Sequence, residues 1–194
     1  MRLRVGSIAG RRMRRALSRM KRRLVRRPYG SSGFPQTDNY RLLVVCLGNY
    51  CRSPVAEGVL RSKLKELGLE AAITVESAGT STYYEGSSPH KYAREEARRR
   101  GIDIERHRAR GLDQVDLTSY ELVVAVDERT RSELPVDPER LVLLGNFGEG
   151  GDIADPNGGE AELFAQTHDA IDAACAGLAE FVADRFARST RSGT

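Results

Sequence analysis

Four short apolar blocks recur along the chain, and segments of helical periodicity separate them. The first, RLLVVC ending at Cys46, is nearly continuous and predicts a strand buried on both faces. AITVESAG, ELVVAVD and RLVLLGN predict three more strands. After the first block, SPVAEGVLRSKLKELG predicts a helix with Ser53 as N-cap, Pro54 opening the first turn and Gly68 at the end. HKYAREEARRRG predicts a second helix closed by Gly101. DQVDLTSY predicts a short helix, and ERTRSEL another. Beyond a glycine-rich loop, the stretch from about Glu160 to Arg188 predicts a long final helix. No internal repeat is evident.

Strands that alternate with helices predict an α/β fold, a parallel sheet covered on both faces. Sites in such sheets lie at the carboxyl ends of the strands. That places the segment after the first strand where chemistry is expected.

The 194 residues, 40% of them hydrophobic, suit one ordinary domain with a packed core. The net charge of +4 conceals a division. Residues 1–38 carry eleven arginines and one lysine against Asp38 alone, a formal charge of +11, which leaves −7 for residues 39–194. The proline-, glycine- and serine-rich PYGSSGFPQTDN marks the boundary between a basic leader with its linker (1–38) and the domain (39–194). Met13, Leu17, Met20 and Leu24 fall near one helical face, so the leader is expected to be disordered or partly helical. Residues 1–27 suit contact with an anionic membrane or another polyanion, without specific nucleic-acid recognition. The arginine-rich, acid-poor composition also resembles a transit peptide. No apolar stretch of roughly 7–15 residues follows the arginine pairs, which argues against an export signal. No run approaches the roughly 18 apolar residues of a membrane span. Three cysteines point to a reducing, cytoplasmic setting, and the chain is expected to be a monomer.

The candidate chemistry lies in VVCLGNYCRSPVAEG, Val44 to Gly58. Zinc fits poorly, because the only other cysteine, Cys175, falls in the final predicted helix and the three histidines show no ligand spacing. The Gly-Lys-Ser/Thr ending of a nucleotide-binding P-loop is missing. A permanent Cys46–Cys51 disulfide conflicts with the reducing setting. An anion site explains more positions. A loop from a strand into a helix N-terminus aims backbone N–H groups at one point, and the helix dipole adds positive charge there. Gly48 and Asn49 are residue types that tolerate left-handed backbone, which curls successive amides into a nest. Arg52 offers a planar fork for two phosphate oxygens. Cys46 at the base sits in a field that favours the thiolate, beneath a tetrahedral oxyanion, and Ser53 can donate a hydrogen bond to it.

VCLGNYCRSPVAEG, with Cys46 and Arg52 framing a Cys-x5-Arg loop, resembles the signature of the low-molecular-weight protein-tyrosine phosphatase family over residues 41–185. The resemblance implies a flavodoxin-like fold with a four-stranded parallel sheet and a metal-free, cofactor-free phosphatase acting on phosphoproteins. It implies that Cys46 is the nucleophile and that Arg52 binds phosphate and the transition state. Leu47, Gly48, Asn49, Tyr50, Cys51 and Ser53 complete the phosphate-binding loop. Ser77 and His107 are implied to brace Asn49. Asp155, in GDIADPNGG, is implied to be the general acid that protonates the leaving group and then activates water. Cys51 is implied to be a redox partner of Cys46, and Tyr83 a wall of the substrate slot; Tyr84 is expected at the surface and Cys175 in the core. Asp127 matches a family aspartate and equally suits a helix N-cap.

Some positions depart from the family pattern. Tyrosine phosphatases carry an aromatic pair after the Asp-Pro, where Asn157 and Gly158 stand here. DPNGG is nearer the protein-arginine phosphatase branch, yet Tyr50 fits neither branch. Phosphotyrosine hydrolysis is therefore the leading expectation. Protein-arginine phosphatase, a weakly active phosphate-binding docking module and arsenate reductase remain as alternatives.

Overall fold

In the structure, a computed structural model, residues 39–191 are described, with side chains through Phe186. The expectations for residues 1–38, including the leader helix, lie outside the described residues.

Four parallel strands form one sheet: β1 (Tyr40–Cys46), β2 (Ile73–Gly79), β3 (Leu122–Ala125) and β4 (Leu141–Leu143), in the order β2-β1-β3-β4. β1 is central, which explains its unbroken apolar run: Leu42, Leu43, Val44 and Val45 are all fully buried. Its register sets Val45 beside Ala78 on one side and Ala125 on the other, and Cys46 beside Gly79. Four helices connect and cover the strands: α1 (Arg52–Glu66), α2 (Lys91–Arg99), α3 (Glu128–Glu133) and α4 (Ala161–Arg191).

On one face, Leu43, Val45, Ala78, Val123 and Ala125 pack with Tyr120, Leu134 and Leu141. On α1, Val55, Ala56, Val59, Leu60 and Leu64 are buried where the helix meets β1, β2 and α4. Cys175 is fully buried on α4 with its thiol 3.7 Å from the Ala56 carbonyl, a core position as expected. The result is the α/β, flavodoxin-like architecture the alternation predicts.

Three local expectations need correction. Ser53 is not the N-cap. α1 begins at Arg52 with Cys51 in the cap position and no side-chain cap bond, and Ser53 lies buried inside the first turn. Its hydroxyl is taken up by the sulfur of Cys46 instead. Pro54 is still tolerated, because first-turn N–H groups have no intrahelical acceptor. DQVDLTSY forms two separate 3-10 turns, Leu112–Gln114 and Leu117–Ser119. Asp116 divides them, its carboxylate accepting the Thr118 N–H at 2.9 Å and capping the second. RLVLLGN pairs over only three residues before a 3-10 turn at Leu144–Phe147. Gly68 and Gly101 do follow their helices with positive φ, as predicted.

Candidate active site

The segment from Leu47 to Cys51 curls between the end of β1 and the start of α1. Two conditions permit the curl. Asn49 takes a φ of 49°, the left-handed region that asparagine tolerates, and it is fully buried. Gly79, at the end of β2, lies so close that a Cβ there would stand 2.8 Å from the Asn49 nitrogen. The second strand thus ends in glycine because the loop backbone lies against it.

Cys46 Sγ is the centre of this curl. It accepts the Asn49 N–H at 3.2 Å and lies 3.0 Å from Ser53 Oγ. The amides of Gly48, Tyr50 and Cys51 donate to no other group among the described residues. Unpaired donors at a helix start form the concavity that binds an anion.

Asn49 anchors the loop from beneath. Its Oδ1 accepts the backbone N–H of Arg110 at 3.0 Å, which fixes the orientation of the amide. Its Nδ2 therefore donates to Ser53 Oγ at 2.9 Å and Ser77 Oγ at 2.8 Å. Ser77 Oγ in turn donates to Glu57 Oε2 at 2.6 Å. His107 Nε2 meets the same Asn49 Oδ1 at 3.1 Å, so that nitrogen must carry the hydrogen. Burial holds His107 down to about 4, so its ring is neutral at neutral pH, and its Nδ1 faces Glu57 at 3.7 Å. Burial pushes the Glu57 carboxyl above the usual range, against the opposing hydrogen bond from Ser77.

Arg52 is only 4% exposed, and its guanidinium has two differently held arms. Nη1 is fixed by Asp127 and by the Ile153 carbonyl at 3.1 Å. Nη2 reaches Asp155 at 2.9 Å. Asp127 is the helix N-cap that its position suited: its other oxygen caps α3 by accepting the Thr130 N–H at 2.6 Å. Burial opposes ionisation of Asp127, but the hydrogen bonds from Thr130 and Arg52 outweigh it and hold the carboxyl below its usual value. Asp155 is 41% exposed, open to an incoming group. Cys51 is buried behind the loop, and burial, with Asp155 and Cys46 nearby, pushes its thiol up. Both cysteines of the loop are free thiols.

The two adjacent tyrosines are held differently. Tyr83 is 82% exposed and meets Tyr84 only edge-on at 4.8 Å. Tyr84, expected at the surface, is the inner ring. It stacks on Tyr50 at 4.0 Å with 2° between planes, and a Cβ on Gly48 would stand 2.7 Å from its Cδ2. Tyr84 also accepts a hydrogen bond from Asn157 Nδ2 at 3.2 Å. The polarity of Asn157, a departure in the sequence, has a partner in the fold.

Besides Tyr84, sequence reasoning missed Glu57 and Arg110. Glu57 carried a usable signal: it is an acid four residues after Ser53, on the stripe of α1 that also carries Leu60 and Leu64. Arg110 acts at Asn49 through its backbone, which no side-chain pattern encodes.

Comparison with known proteins follows the same residues. Residues 41–188 match the profile of the family described as low molecular weight phosphotyrosine protein phosphatase. A putative low molecular weight protein-tyrosine-phosphatase of Synechocystis is 35% identical over 147 residues, 71% of this chain and 93% of its own. A protein tyrosine phosphatase of Entamoeba histolytica, solved with Hepes in its active site, superposes with a TM-score of 0.70 at 27% identity, covering 75% of this chain and 97% of its own. Vibrio vulnificus Wzb in complex with benzylphosphonate superposes with a TM-score of 0.65 at 29% identity, covering 73% and 97%.

Proposed function

The chain belongs to the low molecular weight phosphotyrosine protein phosphatase family, and on that premise we propose how its own residues divide the chemistry. It is a cysteine-dependent protein-tyrosine phosphatase acting on phosphoproteins. The phosphoryl group of a phosphotyrosine seats over the loop of Leu47, Gly48, Asn49, Tyr50 and Cys51. Its oxygens take the unpaired amides and the Nη2 arm of Arg52, which turns from Asp155 to the phosphate while Nη1 stays fixed by Asp127. Cys46 attacks phosphorus from below. The bond to the phenolic oxygen breaks, and Asp155 gives that oxygen its proton. Asp155 then takes a proton from water, which attacks the phosphocysteine and releases Cys46 and inorganic phosphate.

The observation that carries this reading is the sulfur of Cys46 accepting the Asn49 N–H and lying 3.0 Å from the Ser53 hydroxyl, beneath a concavity of unpaired amides. Those donors offset negative charge on sulfur and make it a better leaving group in the second step. The benzylphosphonate held by Vibrio vulnificus Wzb supports an aryl phosphate as the ligand class.

Cys46→Ser should abolish turnover of phosphotyrosyl peptides and still bind vanadate. Full activity in that variant overturns the assignment. Phosphotyrosyl, phosphoarginyl and phosphoseryl peptides compared side by side in EDTA should favour phosphotyrosine. A preference for phosphoarginine would move the enzyme to the alternative branch. Among the described residues no helix is long and apolar enough to cross a membrane. The free thiols at the site support a cytoplasmic setting.

A further inference from the structure

Five aromatic rings climb one side of the site. Phe164 of α4 stacks on His90 at 4.5 Å, His90 meets Tyr50 edge-on at 5.5 Å, Tyr50 stacks on Tyr84, and Tyr83 meets Tyr84 from outside. Tyr84 is therefore fixed on a post rooted in the longest helix and lies against Gly48 of the phosphate loop. On the other side stands the exposed segment that carries Asp155. Among the described residues, the side-chain hydrogen bond that ties it to the post runs from Asn157 Nδ2 to the Tyr84 hydroxyl at 3.2 Å. The Asn157 N–H in turn donates to Asp155 Oδ1 at 3.1 Å.

We propose that Tyr84 and Asn157 form a clasp that positions the Asp155 carboxyl over the phosphate loop. The proposal rests on the reading of Asp155 as the general acid. Asp155 has two holds, Arg52 on Oδ2 and Asn157 on Oδ1. The first must be given up when the phosphate takes the Nη2 arm. The second remains, and through Tyr84 it keeps the acid in register with the phosphate loop while Oδ2 turns to the leaving oxygen. Gly158, with a φ of 86°, and Gly159 follow at once, so the segment gains little stiffness from its own backbone. Tyr84 and Asn157 are positioning residues. Neither exchanges a proton with the substrate.

The test compares kcat/KM for phenyl phosphate, whose leaving group needs a proton, with that for 2,4-dinitrophenyl phosphate, whose leaving group does not. Tyr84→Phe keeps the stacked ring and removes only the acceptor. It should slow phenyl phosphate about 3- to 10-fold, the scale of one neutral hydrogen bond, and change the dinitrophenyl ester less. Asn157→Ala should do the same, and the double variant should lose no more than either alone. A mere structural role would slow both esters alike, and that result, or additive losses, overturns the clasp. Asp155→Asn serves as the reference. If it fails to separate the two esters, the reading of Asp155 as acid falls and the clasp falls with it. If it separates them and both clasp variants do not, the clasp alone falls.

Discussion

Ser53 Oγ lies 3.0 Å from Cys46 Sγ and accepts a hydrogen from Asn49 Nδ2 at 2.9 Å. Because its lone pair is engaged by Asn49, its own proton is free to point at the sulfur. The other acceptor, the Ala78 carbonyl, is farther at 3.4 Å.

In the proposed reaction the sulfur carries negative charge as it attacks and as it leaves, and a hydrogen bond to a charged group is worth more than a neutral one, so Ser53→Ala should be costly. We expect kcat/KM on an aryl phosphate to fall by about 10- to 100-fold. An unchanged rate would mean that Ser53 only fills space.

The strands and helices were legible because their signals are local. β1 is buried on both faces and reads as unbroken apolar sequence, and the spacing of Cys46 and Arg52 survives any detail of packing. The bracing of the loop by Ser77 and His107 was legible only through resemblance, since both lie far along the chain from Asn49. The inward packing of Tyr84, expected at the surface, was not legible because Tyr83 and Tyr84 are adjacent in a loop without periodicity. Which ring turns inward is decided by tertiary facts: the missing side chain of Gly48 and the face of Tyr50. The cap of α1 was misread for a similar reason. A serine before a proline is a good N-cap in isolation, and here a sulfur competes for it.

Asp155→Ala should reduce kcat/KM for phenyl phosphate by about 10²–10⁴-fold, the range of a missing general acid. An activated dinitrophenyl ester should lose far less. Equal losses on the two esters would remove Asp155 from the acid role and leave it as a partner of Arg52.

Peroxide should inactivate the enzyme reversibly. Peroxide converts Cys46 to the sulfenic acid, and the Cys51 thiol then condenses with it, forming the disulfide and releasing water. Burial keeps Cys51 protonated in the resting enzyme, so it does not compete as a nucleophile before oxidation. Thiol reductant should restore activity in the wild type. Cys51→Ser should turn most of that loss irreversible, and equal recovery of the two proteins would assign Cys51 to packing alone.

Acid should destabilise the fold as pH falls from about 6.5 towards about 4. His107 and His168 are both held down to about 4 by burial, below the ordinary 6.5. Arg100 adds to the effect at His168 against Glu96, Asp172 and Asp169. The unfolded chain therefore binds more protons than the folded one in this window. The stabilisation is complete above about pH 6.5 and is lost as pH falls towards about 4, by up to about 3 kcal/mol per histidine. Neither ring nitrogen of His168 has a hydrogen-bond partner among the described residues, so an apolar replacement strands no partner. Melting curves of His168→Leu should fall less steeply between pH 6.5 and 4.5 than those of the wild type. Parallel curves would show that His168 titrates normally.

The leader is expected to act outside catalysis. Twelve basic residues precede Pro28, more than a phosphate site can use, while the groups proposed to handle the phosphate lie between Cys46 and Asp155. If residues 1–27 contact polyanions, the full chain should sediment with anionic vesicles at up to about 1 kcal/mol per basic residue near the surface. That binding should weaken steeply with salt, because each neutralised phosphate releases counterions. A chain lacking residues 1–36 should lose sedimentation and keep its turnover of a small soluble ester. Equal sedimentation of the two proteins removes the anchoring role. Loss of turnover in a truncated chain that still melts cooperatively would place the leader in the active site.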